Sequence, residues 1–421
     1  MNCLVALGGG TSPVINASLL GVISSWKDAG LGRIFGAYHG IEGVLLEQLV
    51  DLTDQPEGEL AKLRHTPASG SIGTCRYKLA PDSEDYGRIV DVLAAHEVGL
   101  FVYIGGNDSM DTADKVARLA RSRGLDLNVA GVPKTIDNDL GDEDRTLIDH
   151  TPGYGSTARY WAMLIRELEE ENRGMISEPV SVFQAMGRRA GFITAAARLG
   201  DPNRESPLQL YFAETGIGLE HLIDNVDREV RTRGRCMVVL TEGFDVGDIG
   251  AARDGFGHVE FGASGTSAQQ VVVNALNAHG LPARGLATGQ LPGVLQRMTS
   301  VFRSTVDVEE AYEVGRKGVE VGLGQSGFMA TILRKPGPDY GVYYDKVPLE
   351  VIANSERFLP VSWIAPSGID VTDDFVEYAQ PLIGQEMYPM PLVGGLQDFA
   401  RLERIEVSQK LPEYVPVNWR G

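Results

Sequence analysis

Short runs of apolar residues recur along the chain with the length and spacing of buried strands. Five of them are NCLVAL (2–7), GLFVYI (99–104), LNVAGV (127–132), PVSVFQA (179–185) and RCMVVL (235–240). A largely continuous apolar run, rather than a strict alternation, is typical of a strand that is covered on both faces of a parallel sheet. These segments therefore predict strands in the interior of the protein.

Segments with apolar residues at helical spacing stand between these strands. Three of them are INASLLGVISSWKDAG (15–30), MDTADKVARLARSRG (110–124) and STARYWAMLIRELEEENRG (156–174). In the third, one face carries apolar residues throughout, namely Ala158, Trp161, Ala162, Ile165 and Leu168. The alternation of strand and helix predicts an α/β protein with mainly parallel sheets, built as two Rossmann-like three-layer domains.

A polar, glycine-rich stretch, LGDEDRTLIDHTPGYGS (140–156), predicts the boundary between those domains. We expect residues 1–140 to form the first α/β domain and residues 141–300 the second. The segment 301–421 mixes helical and strand patterns. It is expected to complete both domains and to add a peripheral extension.

Composition narrows the classes of function. The chain has 421 residues, of which 43% are hydrophobic, and this length is enough for more than one core. The formal net charge of −19 argues against binding to nucleic acid or to anionic membranes, and it means that an anion site must gather its positive charge locally. Cys3, Cys75 and Cys236 form no CxxC pair, which fits a reducing cytoplasm. The N-terminal run is expected to be a strand rather than a signal peptide, and no apolar run of about 18 residues predicts a membrane span.

Three glycine-rich turns follow predicted strands, and they predict a site for phosphate. They are LGGGTSP (7–13), IGGNDS (104–109) and AMGRRAG (185–191). In open α/β sheets ligands bind at the carboxyl ends of the strands, where glycine lets backbone N–H groups approach an anion and the next helix directs its positive end towards it. Glycine turns also occur for steric reasons alone, which is the alternative interpretation.

The segment GVPKTIDND (131–139) adds charged side chains to the same predicted edge. Asp137 and Asp139 are two residues apart, so on an extended segment their side chains point the same way. One carboxylate can accept the proton of an attacking hydroxyl, the other can help to hold magnesium, and Lys134 can neutralise charge. The segment thus indicates phosphoryl transfer; the alternative is an Asx-rich turn in which Asp137 or Asn138 caps backbone groups.

Taken together, GGNDS (105–109), PKTIDND (133–139) and AMGRRAG (185–191) resemble the phosphofructokinase family, most of all its pyrophosphate-dependent branch. GTCR (73–76), TEG (241–243) and PGVLQR (292–297) resemble further motifs of the family, and the similarity runs from Gly8 to about residue 332. The tail VPLEVIANSERFLP (347–360), with the later PLIG, is similar to that of the longer pyrophosphate-type enzymes.

The resemblance implies an active site in the cleft between two domains, with the donor pyrophosphate on the first and fructose 6-phosphate on the second. Asp137 matches the catalytic base, and the other residues implied in catalysis are Lys134, Asp108, Thr135 and Arg76. The implied contacts to the sugar phosphate are Thr135, Asp137, Asp139, Met186, Gly187, Arg188, Glu242, Gln296 and Arg297. The implied contacts to the donor are Gly9, Gly10, Arg76, Gly106, Asp108 and Lys134.

Magnesium is the implied cofactor, with Asn107 and Asp139 as its ligands. The family usually has Asp where Asn107 stands, and an asparagine can offer an oxygen to a hard cation but no charge. The resemblance also implies a homo-oligomer, dimer or tetramer. Short members of the family place a cross-subunit arginine where this chain has Pro179; Arg284 is a candidate substitute at a different spacing.

Asp108 and Lys134 bear on the choice of donor. ATP-using relatives have glycine at the position of Asp108, which leaves room for the nucleotide's α-phosphate, and usually glycine at the position of Lys134. The pair therefore predicts a site that excludes ATP and stabilises the smaller pyrophosphate. The alternative is that Asp108 caps a helix that begins near Met110.

Three functions stay open at this point. The first is reversible phosphorylation of fructose 6-phosphate at its 1-hydroxyl by pyrophosphate, which yields fructose 1,6-bisphosphate and phosphate. The second is an ATP-dependent phosphofructokinase or a sedoheptulose 7-phosphate kinase. The third is a non-catalytic sensor of polyphosphate or nucleotide, against which Asp137 and Arg188 count because binding needs no proton acceptor. The isolated His39, His150 and His258 are interpreted as structural.

Overall fold

The computed structural model describes residues 1–80, 83–254, 257–353 and 355–420, so the tail motif is described apart from Asn354. The strands are, in chain order, β1 (Asn2–Leu7), β2 (Ile34–Ala37), β3 (Leu49–Asp51), β4 (Val98–Gly105), β5 (Asn128–Pro133), β6 (Val180–Ala185), β7 (Leu208–Tyr211), β8 (Cys236–Thr241), β9 (Ala287–Gln290), β10 (Phe328–Arg334), β11 (Val342–Pro348), β12 (Leu392–Val393) and β13 (Leu396–Gln397). The α-helices are α1 (Ile15–Asp28), α2 (Ile41–Leu45), α3 (Glu57–Lys62), α4 (Glu84–Ala95), α5 (Asn107–Ser122), α6 (Tyr154–Gly174), α7 (Phe192–Ala196), α8 (Leu219–Arg233), α9 (Ala268–His279), α10 (Thr305–Gly324), α11 (Leu349–Ile352) and α12 (Asp373–Ala379).

The first sheet has seven strands in the order β11-β10-β5-β4-β1-β2-β3. The pairs from β10 to β2 are parallel, and the two outermost strands, β11 and β3, are antiparallel to their neighbours. All eight residues of the central strand β4 are buried, which explains its continuous apolar sequence. Because β10 and β11 follow residue 300, the C-terminal segment contributes two strands to this sheet.

Close packing of α1 against α10 covers one face of the first sheet. A Cβ added at Gly21 would lie 2.0 Å from the carbonyl oxygen of Tyr312, and one added at Gly315 would lie 2.2 Å from that of Ser18. Both distances are far below van der Waals contact, so the two backbones approach only where side chains are missing. The approach ties the C-terminal segment to the first element of the chain.

The second sheet has four parallel strands in the order β7-β8-β6-β9. The helix α6 packs on it through the apolar face that the sequence predicts, and Trp161 and Ile165 are buried there. The prediction of an α/β fold with mainly parallel sheets is therefore confirmed. The boundaries at residues 140 and 300 stay predictions. Within the described ranges, no helix is both long and apolar enough to cross a membrane.

Candidate active site

One cavity collects residues from the carboxyl ends of strands in both sheets. It encloses about 870 Å³, including its open mouth. Its wall contains fourteen of the predicted site residues: Gly9, Gly10, Arg76, Gly106, Asn107, Asp108, Lys134, Thr135, Asp137, Asp139, Met186, Arg188, Glu242 and Arg297. Two predicted residues, Gly187 and Gln296, are not in this wall, and Arg284 is exposed elsewhere. The cavity therefore brings together most of the residues that the motifs indicate.

The turn after β1 forms the floor of the cavity between three cationic side chains. Gly9 has a φ of +75°, a conformation that glycine adopts without strain. A Cβ at Gly10 would lie 3.1 Å from Nη1 of Arg297 and 3.4 Å from Nη2 of Arg76. Nζ of Lys134 donates a hydrogen bond to the carbonyl oxygen of Gly10 (2.5 Å). The glycines thus leave room for positive charge to gather in an otherwise acidic protein.

The loop after β5 carries the two carboxylates, and it is not the extended segment that their spacing suggested. Asn138, which lies between them, has a φ of +57°. The Asp137 N–H donates to Oγ1 of Thr135 (3.1 Å), and that hydroxyl donates to Oδ1 of Asp139 (3.2 Å). Both carboxylates nevertheless line the same cavity.

Burial and neighbouring charges perturb the ionisable groups of this loop. Burial, reinforced by the charge of Asp139, raises the pKa of the Asp137 carboxyl to about 6, although the cations Arg188, Lys134 and Arg297 oppose the shift. Burial also lowers the pKa of the Lys134 ammonium to about 7, against the pull of Asp137. A carboxylate and an amine that titrate near neutrality in one cavity are typical of groups that exchange protons with a substrate.

The second domain supplies the opposite wall of the cavity. The backbone N–H of Arg188 donates to Oε1 of Glu242 (2.9 Å), and burial raises the pKa of this Glu242 carboxyl to about 8. Gln296 lies behind the wall, where its Oε1 accepts from the Met186 N–H (3.1 Å) and from Nε1 of Trp161 (2.9 Å). Gln296 therefore holds the backbone of the MGR turn in place; its contact with a sugar phosphate stays a prediction.

Asp108 lies at the positive end of α5, and the interpretation of this residue as a helix cap is wrong. The helix begins at Asn107 and its N-cap position is Gly106, which offers no side chain. Asp108 is the second helical residue, and its carboxylate lies 3.7 Å from Nζ of Lys78 and 3.9 Å from Nε2 of His258. A carboxylate within the first turn is favourable for the helix dipole, but it also directs negative charge into the cavity.

Two acidic residues of the cavity were missed by sequence reasoning. Nη1 of Arg76 forms ion pairs with Asp254 (3.1 Å) and with Glu260, and both carboxylates lie in the cavity wall. They belong to an irregular stretch after β8, and neither a repeat nor a periodic pattern marks them. The contact joins residues separated by 178 and 184 positions, so no local signal could have identified it.

Two polar atoms in the cavity wall are buried without a hydrogen-bond partner among the described residues. One is the donor Nε of Arg297, and the other is the acceptor Oδ1 of Asn107. An unsatisfied buried polar atom costs free energy, and functional sites are where such atoms recur. The guanidinium N–H is suited to an anion, and the amide oxygen is suited to a hard cation.

A buried carboxylate, cations from both domains and glycine turns at the ends of parallel strands define an α/β enzyme of phosphoryl transfer. The chain belongs to the phosphofructokinase family, whose model, "Phosphofructokinase", matches residues 2–292. It is 36% identical over 424 residues to the pyrophosphate–fructose 6-phosphate 1-phosphotransferase of Methylococcus capsulatus, a match that covers 97% of this chain and 98% of that protein. It is 35% identical to the enzyme of the same name from Halomonas elongata, over 98% of this chain and 99% of that protein.

Solved structures give the same result. The pyrophosphate-dependent phosphofructokinase from Marinobacter aquaeolei superposes with a TM-score of 0.86 at 34% identity, over 99% of this chain and 100% of that chain. The fold and the family are therefore established together.

Proposed function

We propose that this protein transfers a phosphoryl group from pyrophosphate to the 1-hydroxyl of fructose 6-phosphate, reversibly, and so forms fructose 1,6-bisphosphate and phosphate. The observation that carries the proposal is that Asp108 and Lys134 line one cavity with the buried carboxylate of Asp137. The names of the relatives from Methylococcus and Halomonas, which specify pyrophosphate as donor, support it.

Asp137 is the general base of the proposed reaction. With a pKa of about 6 it is ionised at neutral pH and still basic enough to take the proton as the 1-hydroxyl attacks. Thr135 and Asp139 hold the loop beside it through the hydroxyl that bonds both residues 137 and 139. The proton returns from Asp137 to the leaving sugar oxygen when the reaction runs in reverse.

The cations of the cavity divide between the two phosphate groups. Lys134 and Arg76 neutralise the transferring phosphoryl group, and Gly9 and Gly10 let it approach the backbone. Arg297 binds the 6-phosphate, for which its unsatisfied Nε is available. A planar guanidinium suits this role because it meets phosphate with two parallel hydrogen bonds.

The remaining residues of the second domain recognise the sugar. Met186 and Arg188 line its side of the cavity, and Glu242 offers a carboxyl to a sugar hydroxyl. Because the pKa of Glu242 is about 8, this carboxyl is largely protonated at neutral pH and can donate as well as accept. The identity of the sugar, fructose 6-phosphate rather than sedoheptulose 7-phosphate, is part of the proposal.

Magnesium fits the residues at the donor end. The unsatisfied Oδ1 of Asn107 and the carboxylate of Asp139 are the oxygens that would hold it. No group of three or more His, Cys, Asp or Glu side chains in the described ranges is placed to hold a metal ion alone, so phosphate oxygens would complete the coordination. When bound, the ion neutralises charge that develops on the phosphates during transfer.

We also propose that the protein is a homo-oligomer, dimer or tetramer, of the cytoplasm. Exposed apolar side chains cluster around the turn that carries Arg297, namely Leu291, Val294, Leu295, Met298 and Val301. A contiguous exposed apolar patch is typical of a protein–protein interface. Light scattering after size exclusion measures the oligomeric state, and a monomer at micromolar concentration would contradict this part of the proposal.

A donor panel tests the proposed activity. The purified protein is given fructose 6-phosphate and magnesium with either pyrophosphate or ATP, and formation of fructose 1,6-bisphosphate is followed; sedoheptulose 7-phosphate replaces the sugar in a parallel series. We expect kcat/KM to be highest with pyrophosphate and fructose 6-phosphate. A higher value with ATP, or product formation by Asp137→Ser at the wild-type rate, would contradict the proposal.

A further inference from the structure

Arg357, from the tail motif, lies against the loop that carries the two active-site carboxylates. Its side chain is fully buried. Its backbone N–H donates to the carbonyl oxygen of Asp139 (2.7 Å), and its Nε donates to that of Asn138 (2.9 Å). Its Nη1 donates to the carbonyl oxygens of Ile148 (2.8 Å) and Asp149 (3.1 Å). A single side chain therefore joins the loop 137–139 to the chain ten residues further on.

The residue that Arg357 holds is the left-handed Asn138. Nη2 of Arg357 donates to Oδ1 of Asn138 (2.8 Å), and this oxygen also accepts from the backbone N–H of Thr151 (3.1 Å). Asn138 is fully buried, so its φ of +57° is stabilised by these partners and not by solvent. For a residue with a side chain, negative φ is lower in free energy, so these partners favour the observed conformation.

Tyr378 completes the contact from a second part of the C-terminal segment. Its hydroxyl accepts from Nδ2 of Asn138 (3.0 Å) and donates to the carbonyl oxygen of Asp149 (2.9 Å). Both ends of the Asn138 amide are thus fixed, one by Arg357 and the other by Tyr378. We call Arg357, Asn138 and Tyr378 the loop clamp.

The chemistry of Arg357 indicates that the clamp does more than stabilise the fold. Within the described ranges its guanidinium forms no ion pair with a carboxylate, and its hydrogen bonds all go to carbonyl oxygens. An unpaired buried charge is costly, and well-packed apolar side chains of similar size are often as stable or more so. Five N–H groups in a fixed plane can, however, fix several backbone positions at once.

We propose that Arg357 and Tyr378 are positioning residues for the phosphoryl transfer proposed above: they hold Asn138 in its left-handed conformation and so direct Asp137 and Asp139 into one cavity. Neither Arg357 nor Tyr378 lines that cavity, so neither is placed to touch a substrate. The inference rests on the proposed function for its kinetic consequence, but the conformation of the loop can be measured independently.

The proposal is tested by comparing the kinetics of two clamp variants with those of a matched control variant. Arg357→Lys keeps the charge but loses the planar set of donors, and Tyr378→Phe removes one hydroxyl. Arg198→Lys is the control, because Arg198 is also buried, with hydrogen bonds to Asp201, Asp370 and the Leu208 carbonyl, and lies outside the cavity. We expect kcat to fall about 10²-fold in Arg357→Lys, the cost of a displaced reacting group, and about fivefold in Tyr378→Phe, the value of the hydrogen bond that holds Asn138.

The split between kcat and KM separates positioning from general destabilisation. Because the substrate-binding arginines are untouched, both KM values should stay within about threefold of the wild type. The control should lower Tm but leave kcat unchanged. A wild-type kcat in Arg357→Lys and Tyr378→Phe, or an equal loss of kcat in Arg198→Lys, would overturn the proposal.

Two substitutions of Asn138 test the conformation itself. Asn138→Gly loses the amide but adopts positive φ freely, whereas Asn138→Ala loses the amide and is strained there. We expect the glycine variant to keep at least about fivefold more kcat than the alanine variant, since the penalty for non-glycine residues at positive φ is about 1 kcal/mol. Equal kcat values would show that the left-handed conformation has no role in turnover.

Amide hydrogen exchange of the loop 135–141 gives a readout that needs no substrate. We expect faster exchange in Arg357→Lys than in Arg198→Lys, because only the former frees the loop. If the wild type turned over neither pyrophosphate nor ATP, the proposed function would be wrong. The exchange measurement would still test whether Arg357 holds the loop. Unchanged exchange in Arg357→Lys would overturn the clamp whatever the activity.

Discussion

Replacing Asp108 by glycine tests how the protein selects its phosphoryl donor. The carboxylate lies in the first turn of α5, where it lines the cavity together with Lys134. An α-phosphate of ATP that occupied this space would meet a like charge at close range. Asp108→Gly removes the charge and the volume at once, so we expect ATP to become a substrate.

The magnitude follows from Coulomb's law and the surroundings of Asp108. Two like charges about 4 Å apart repel by roughly 4 kcal/mol at an effective dielectric constant of about 20. The side chain is 33% exposed, and Nζ of Lys78 lies 3.7 Å away, so solvent and this cation screen part of the field. With half of the repulsion retained, about 2 kcal/mol, kcat/KM for ATP should rise about 30-fold.

The assay compares kcat/KM for pyrophosphate and for ATP in four proteins: wild type, Asp108→Gly, Lys134→Gly and the double variant. Lys134→Gly alone should weaken pyrophosphate use without admitting ATP, because the carboxylate remains. The double variant should shift the preference furthest, although effects within one site need not add. Asp111→Gly is the control, since Asp111 is on the same helix and its carboxylate binds Lys115 (2.7 Å) outside the cavity.

Two results would refute the reasoning. The first is a ratio of kcat/KM for ATP to kcat/KM for pyrophosphate that is the same in Asp108→Gly as in the wild type. This result would show that Asp108 does not exclude the nucleotide. The second is an equal gain of ATP use in Asp111→Gly, which would trace the change to a loosened helix. Higher ionic strength should partly reduce the preference of the wild type for pyrophosphate over ATP, because the charge of the Asp108 carboxylate is partly exposed to solvent.

Three further predictions concern single residues. Asp137→Ser should lower kcat by about 10²–10⁴-fold, and the wild-type kcat should fall below pH about 6, because the base must be ionised; a wild-type rate in the variant would remove this role. Arg297→Ala should mainly raise KM for the sugar phosphate, and a change confined to the pyrophosphate KM would contradict the assignment. Burial opposes protonation of His150, but the carboxylates of Glu310 and Asp149 raise its pKa to about 9. Protonated His150 should therefore stabilise the folded protein by an amount of the order of 3 kcal/mol. This contribution should be complete below pH about 6.5 and lost as pH rises towards 9. If urea titrations gave the same pH dependence of the unfolding free energy for His150→Gln as for the wild type, the prediction would be contradicted.

The sequence by itself determined the central strands and the turns that follow them. β1 has the predicted bounds, and β4, β5, β6 and β8 differ from prediction by one residue at one or both ends. The reason is that a strand buried on both faces must be apolar at nearly every position, which is a local and readable signal. The glycine turns are equally local, because glycine adopts positive φ without strain and lets the backbone approach an anion closely.

Short strands at or next to the edges of the sheets were not predicted. β2, β3, β7 and β9 have three or four residues each, and this length gives no periodic pattern that separates them from loops. Their position depends on the neighbouring strand to which they bond, as the antiparallel pairing of β3 with β2 illustrates. Such strands are defined by their partners and not by their own sequence.

Within the site, the motifs identified the residue types, but only the tertiary structure decided their geometry. The spacing of Asp137 and Asp139 suggested an extended segment, whereas Asn138 is left-handed, and Arg357, 219 positions away, donates to its backbone carbonyl and side-chain amide oxygens. Arg76 contacts Asp254 and Glu260 because the folding of both domains brings distant loops to one cavity. Contacts of this kind depend on the packing of the whole chain, and the pattern of any one segment carries no signal for them.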